Sequence, residues 1–164
     1  MIAHCSIRNL DTNDLPRLHE IREAAFEPVF ASFRRIVGEK IATIALESAE
    51  REQAEHLDRI CAADASHDVF VVECGSSLVA FCAVSCNRDS KVGEIDLNAV
   101  HPDHQGKGIG SWMYRVALDR MRAAGMRAAT VGTGGDPSHA PARRAYENAG
   151  FGPAIPSLYY YTAL

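Results

Sequence analysis

A mixed α/β (α+β) fold, with helices flanking a mostly antiparallel central sheet, is predicted by three features of the 164-residue sequence. Two β-rich runs, 69–74 and 78–84, are separated only by Gly75-Ser76-Ser77, the turn chemistry of an antiparallel hairpin. Amphipathic helical patterns lie both before and after that hairpin. Between hairpin and C-terminus, a strand runs through a glycine-rich turn straight into a long helix. At about 100–200 residues per domain, the length predicts one domain with a substantial core. Its parts are an N-terminal strand and helices over 1–67, a central hairpin and core over 68–151, and a C-terminal strand region over 152–164.

The elements follow in order. Ala3 to Arg8 reads as a first strand, with Ile7 its strong β-former. Asp11-Thr12-Asn13-Asp14 supplies N-cap residues, and Pro16 falls in a first helical turn, where it is tolerated. Leu15, Leu18, Ile21, Arg22 and Ala25 then share helical spacing, apolar apart from Arg22, in a helix expected to end before Pro28. From Phe30 to Asp64 the chain is helix-permissive, with Gly38 dividing it. After the hairpin, Val92 to Val100 alternates Glu94, Asp96 and Asn98 against Ile95, Leu97 and Ala99, a third strand of the group. Ser111 to Ala124 carries the stripe Met113, Val116, Ala117, Met121 and Ala124 before a C′ stop at Gly125. Ala128 to Val131 is a short buried strand, Ala140 to Ala149 a helix stopped by Gly150, and Leu158 to Thr162 an aromatic last strand.

Composition narrows the class. Charged residues at 23% and hydrophobic residues at 47% are ordinary for a globular protein and exclude disordered, collagen-like and coiled-coil classes. No apolar run approaches the roughly 18 residues that span a bilayer, and the first eight residues hold no apolar signal-peptide core. Five cysteines without a CxxC spacing argue against a disulfide framework and for a reducing cytoplasm. Charge is uneven: residues 1–90 hold 9 Lys and Arg against 15 Asp and Glu, a balance of −6, whereas residues 91–164 hold 8 against 6, a balance of +2. This is either a patchy solvated surface or an anion site in the second half. It argues against broad nucleic-acid binding, which needs a strongly basic domain.

The outstanding segment is Leu97 to Ser111, LNAVHPDHQGKGIGS. Glycines at 106, 108 and 110 let backbone approach a ligand closely and adopt positive φ. Their N–H groups, at the positive end of the next helix, form an anion cradle suited to a pyrophosphate, with Lys107 as an added point charge. The P-loop pattern fails, because no glycine stands five residues before Gly106, and the Rossmann pattern fails because the spacing is GxGxG.

Gln105-Gly106-Lys107-Gly108-Ile109-Gly110 resembles the [QR]-x-x-G-x-[GA] signature of the GNAT superfamily (GCN-related N-acetyltransferases). Ala99-Val100-His101-Pro102 is similar to its usual lead-in, and Tyr146-Glu147-Asn148-Ala149-Gly150-Phe151 is similar to its second stretch. The resemblance covers nearly the whole chain and is specific over residues 92–151. It implies the acyl-CoA N-acyltransferase architecture, a sheet of about seven strands with about four helices, and transfer of an acetyl group from the cosubstrate acetyl-CoA to a primary amine.

The resemblance also implies roles. Acetyl-CoA would lie in a gap between the strand ending near Val100 and the strand at 128–131, with pantetheine on backbone around Ala99 and Val100 and pyrophosphate on Gln105, Gly106, Lys107, Gly108, Ile109, Gly110 and Ser111. A backbone N–H near Val100 would hold the developing oxyanion. The amine would attack directly, without a covalent enzyme intermediate. Tyr146 would be the general acid for the departing thiolate, a phenol being protonated at neutral pH. Glu94 would be the base, with Asp96 as its understudy. His139 stands seven residues before the tyrosine, where the family often has an asparagine that contacts the pantetheine arm, and is expected to contact the cofactor or start the helix.

The remaining candidates carry less. His101, Asp103 and His104 form one short cluster without distant partners, so no metal is expected. Arg143 and Arg144 stand either near the 3′-phosphate of CoA or simply on a helix surface. Cys82 and Cys86 have no neighbouring base in sequence. The acceptor, a small-molecule or peptide amine, is not specified by any motif, although the −6 half favours a cationic one. No nucleic-acid or membrane partner is expected, and an exposed C-terminal strand would allow a homodimer. The alternative function is a non-catalytic CoA-binding or regulatory module of the same fold.

Overall fold

The structure is a computed structural model that describes residues 4–164. One five-stranded sheet runs in the order β1 (Cys5–Asn9), β2 (Asp68–Cys74), β3 (Ser77–Asn87), β4 (Val92–Val100) and β5 (Ala128–Val131). Neighbouring strands are antiparallel from β1 to β4, and β5 joins β4 in parallel. Five helices accompany it: α1 (Leu15–Val37), α2 (Glu39–Ala45), α3 (Ala49–Cys61), α4 (Ile109–Ala123) and α5 (Ala140–Ala149).

The two-residue period of the strands sorts their side chains into two cores. Val69, Val71, Phe81 and Ala83 pack with Leu18 and Ile21 of α1 and Leu57 and Ile60 of α3. Phe70, Val72, Cys82 and Val84 face the other way, onto Met113, Ala117 and Met121 of α4. β2 and β3 are therefore buried on both faces, which explains their unbroken apolar runs. Among the described residues, no helix is long and apolar enough to cross a membrane.

Several expectations are corrected. α1 continues through Pro28 to Val37. Proline leaves the Ala24 carbonyl without its helical donor, but burial of Phe30 and Ser32 beyond it keeps the helix going, and it ends at Gly38 with φ +80. The sheet has five strands instead of about seven, because residues 151–164 form neither helix nor strand. Tyr159 and Tyr160 are 85% and 88% exposed. Their β-propensity expresses itself only against a partner strand, and Pro153 and Pro156 interrupt the approach. The first strand starts at Cys5, and Ala3, included in its expected range, lies outside the described residues.

The cysteine reading changes as well. Cys5 and Cys74 are directly opposite in the β1–β2 register and are joined as a disulfide, leaving Cys61, Cys82 and Cys86 free. An odd total does not preclude one bridge, and strand register, invisible in the spacing, creates it. Burial, with Asp58 nearby, pushes the Cys61 thiol up to about 11. Burial also pushes the Cys82 thiol strongly up, so neither offers a thiolate at neutral pH.

Candidate active site

The two halves of β4 behave differently. Val92 to Ile95 pair with Ala128 to Val131, and there β5 ends. Asp96 to Val100 run on without a partner on that side, so the sheet opens between β4 and its edge strand β5 into a cleft of about 850 Å³. In the ladder with β3, Cys82 opposes Asn98 and Val84 opposes Ile95. One β3 residue, Ala83, thus faces two β4 residues, Asp96 and Leu97, which is a β-bulge.

The bulge redistributes the side chains of β4. Ile95 belongs to the α4 core, whereas Leu97 and Ala99 belong to the α1–α3 core. Simple alternation put Glu94, Asp96 and Asn98 on one side. Instead, Asp96 bonds to α3 while Asn98 bonds to α4 and α5.

On the α4–α5 side lies a neutral cluster. The Tyr114 hydroxyl donates to Asn98 Oδ1 at 2.8 Å, and Asn98 Nδ2 donates to the Tyr146 hydroxyl at 3.3 Å. The two tyrosine rings are 4.5 Å apart between centroids. Burial pushes the Tyr146 phenol above its ordinary value against the opposing bonds from Asn98 and Tyr114. Burial pushes Tyr114 well up too. Tyr146 is thus a protonated donor, 7% exposed, that lines the cleft.

On the α1–α3 side lies an ionisable cluster. His56 Nε2 stands 2.9 and 3.0 Å from the two oxygens of Asp96, and His67 Nε2 stands 3.1 Å from one of them. Glu94 is exposed on the same face and, like Asp96, lines the cleft.

The turn after β4 begins with a short 3-10 segment, Pro102–His104. Gly106 and Gly108 hold φ of +71 and +81, values that need glycine, and nothing lies within 4 Å of where a Cβ would stand on either. The first intrahelical donation of α4 is from Trp112 N–H to the Gly108 carbonyl at 3.0 Å. The amides of Ile109, Gly110 and Ser111 therefore precede the helical ladder and face outward at the positive end of the helix. Gly110 has ordinary φ, and a Cβ there would meet Ala145 at 3.6 Å, so its role is close packing of α4 on α5. Gln105 Nε2 donates to the Val100 carbonyl at 2.9 Å and ties the turn to the end of β4.

Of the expected cofactor residues, Ala99, Val100, Gln105, Gly106 and Gly108 line the cleft, as do Ile109, Gly110, Ser111 and His139. Lys107 does not. Its Nζ folds back onto the Asp103 carbonyl at 2.7 Å, a loop strut where a phosphate contact was expected. Arg143 donates to the carbonyls of Gly134 and Asp136, so it closes the loop before α5. His139 occupies the N-cap position of α5 without capping it, and its Nδ1 lies 2.5 Å from Asp136. Sequence reasoning missed Asn98 and Tyr114 as partners of Tyr146. It also missed Asp136 as partner of His139, and His56 and His67 as partners of Asp96. The short Asp136–His139 spacing was the one local signal available; the others are brought together only by tertiary packing.

A sheet opened between parallel strands beside a glycine-turn helix start defines the N-acyltransferase class of fold. The sequence model of the acetyltransferase (GNAT) family matches residues 17–151, and the chain belongs to that family. Among functionally curated proteins there is no match. A GNAT acetyltransferase from Brucella melitensis, solved with acetyl-CoA, is 24% identical with a TM-score of 0.63, covering 93% of this chain and 92% of that one. The ribosomal-protein-S18-alanine N-acetyltransferase of Escherichia coli is 20% identical with a TM-score of 0.64, covering 92% of this chain and 79% of its own. The aminoglycoside N-acetyltransferase AAC(6')-Iy, solved with a bisubstrate analogue, is 14% identical with a TM-score of 0.63, over 99% of this chain and 100% of that one. These likenesses establish a shared fold.

Proposed function

We propose that the protein transfers an acetyl group from acetyl-CoA to a primary amine of a small molecule or peptide, by direct attack of the amine on the thioester. One observation carries this reading: a single cleft joins the outward amides at the start of α4, the unpaired backbone of β4 and the Tyr146 hydroxyl. The left-handed turn at Gly106 and Gly108 and the α4 amides would hold pyrophosphate. The free edge at Ala99 and Val100 would align pantetheine, and a backbone N–H near Val100 would receive the thioester carbonyl as it becomes an oxyanion. Tyr146 gives its proton to the departing thiolate. Glu94, exposed on the ionisable side of β4, receives the acceptor's ammonium group and takes its proton, directly or through water.

Glu94 and Asp96 on one face, together with the −6 balance of residues 1–90, favour a cationic acceptor such as a polyamine, an aminoglycoside or a basic peptide. A homodimer belongs to the same reading, supported by the open edge of β5 and the exposed Leu158, Tyr159 and Tyr160. The test is thiol release from acetyl-CoA across a panel of amines. Acceptor-dependent release with a basic amine is expected. Tight CoA binding without release for any amine would leave only a CoA-binding module.

A further inference from the structure

Helix α5 carries two polar side chains seven residues apart, His139 at its N-cap and Tyr146 two turns on. At 3.6 residues per turn both fall on one face, about 10 Å apart along the axis. Long helical side chains lean toward the N-terminus, which aims Tyr146 back toward His139. Both line the cleft.

His139 is held by one ring edge. Its Nδ1 lies 2.5 Å from Asp136 Oδ1, and its ring stacks on Phe33 of α1, centroids 5.6 Å apart. The other Asp136 oxygen accepts from Ser32 Oγ at 2.9 Å, Ser138 N–H at 3.1 Å and Ser138 Oγ. Burial works to raise the Asp136 carboxyl, but these bonds together outweigh it and hold the group well below the usual carboxylate range. An ionised carboxylate only accepts hydrogen bonds, so Nδ1 carries the hydrogen and the lone pair of the neutral ring sits on Nε2. Among the described residues Nε2 has no partner, and unlike Arg22 Nε it is not sealed from solvent. The charged groups of this cluster are Asp136 and Arg143, the latter spent on backbone carbonyls, while α1 contributes the uncharged Ser32 and Phe33.

We infer that His139 is a second proton acceptor of the transfer reaction, presented to the cleft through Nε2 by Asp136, its positioning residue. The inference rests on the acetyl-transfer reading above. Two protons must leave the acceptor nitrogen. Glu94 takes the first, converting ammonium to amine. The amine lone pair then forms the C–N bond, the carbonyl π pair moves to oxygen, and nitrogen becomes positively charged. His139 Nε2 takes the second proton. The oxyanion re-forms the carbonyl as the C–S bond breaks, and sulfur receives the Tyr146 proton. The His139 imidazolium restores the Tyr146 phenol through water, and the net proton released is the one on Glu94. A His–Asp pair suits this step because an imidazole is a stronger base than a carboxylate by about two pKa units in model compounds.

The test combines His139→Gln with two readouts on folded protein. With the amine that wild type acetylates best, kcat is expected to fall about 100-fold. CoA affinity by calorimetry is expected to stay within about twofold. Asp136→Asn should also lower kcat, since an asparagine amide can donate to Nδ1 and force the wrong tautomer. Independently of activity, nitrogen NMR of wild type should show the Nδ1–H tautomer for His139. Unchanged kcat in His139→Gln, an equal loss in CoA affinity, or an Nε2–H tautomer would each overturn the inference while leaving acetyl transfer standing. Absence of amine-dependent turnover by wild type would overturn the underlying reading and this inference with it.

Discussion

The two faces of β4 have opposite chemistry. Toward α4 and α5, Asn98 joins two buried phenols in a neutral cluster that holds protons. Toward α1 and α3, Asp96 meets two histidines beside the exposed Glu94, a partly exposed cluster of acidic and imidazole side chains. One extra residue at the Asp96–Leu97 bulge separates them. A regular strand would line all three polar side chains on one face. The bulge instead places Glu94 and Asp96 on one side of the strand and Asn98, with Tyr146, on the other, at the point where that strand loses its partner. An irregularity of one residue thereby organises the site.

The strongest way to break this contrast is Tyr146→Phe. It removes the donor of the neutral face, and kcat for acceptor-dependent thiol release is expected to fall about 100-fold or more while the fold is retained. Unchanged turnover would reduce Tyr146 to a core aromatic. Next comes a paired comparison across the strand. Asn98→Ala strands the buried Tyr114 hydroxyl and is expected to cost about 1–3 kcal/mol in chemical denaturation. Asp96→Asn, in a cluster about one-third exposed, should cost under about 1 kcal/mol. Equal losses would show that the two faces of β4 do not differ in how tightly their polar groups depend on their partners.

Where β4 hands over to α4, Gly108→Ala forces an alanine into φ +81 and is expected to cost about 1–2 kcal/mol and weaken CoA binding. Gly110→Ala meets only ordinary contact and gains helix propensity, so its effect should be near zero or stabilising. The smallest expected effect is in acid. Because the folded Asp136 carboxyl is depressed, its stabilisation is complete above the unfolded value near pH 4 and is lost as pH falls through the lower folded value. The Tm difference between wild type and Asp136→Asn should therefore shrink as pH drops below about 4. A difference that grows there would reverse the assignment.

Much of the fold is legible in local pattern. The hairpin, the 128–131 strand and the 140–149 helix fall where turn residues and periodicity put them, because each is decided by neighbours a few residues away. Pro28 misled because proline's local cost is outweighed by burial of residues beyond it. Tyr159 to Tyr161 misled because a strand needs a partner, which propensity does not supply. Around the cleft, the positive-φ glycine turn into α4 and the place of Tyr146 on α5 are legible from their motifs. Asn98's place was not, since alternation counts residues and a bulge breaks the count.

By itself, then, the sequence determined the mixed helix-and-sheet class, the glycine turn into α4, and the residue types available for acid–base chemistry. These follow from backbone stereochemistry and short-range periodicity. Only the tertiary structure decided which side of β4 each polar group occupies, that His56 and His67 meet Asp96, and that Cys5 meets Cys74. Those outcomes depend on strand register and on packing between elements tens of residues apart, where a shift of one residue moves a side chain to the opposite face.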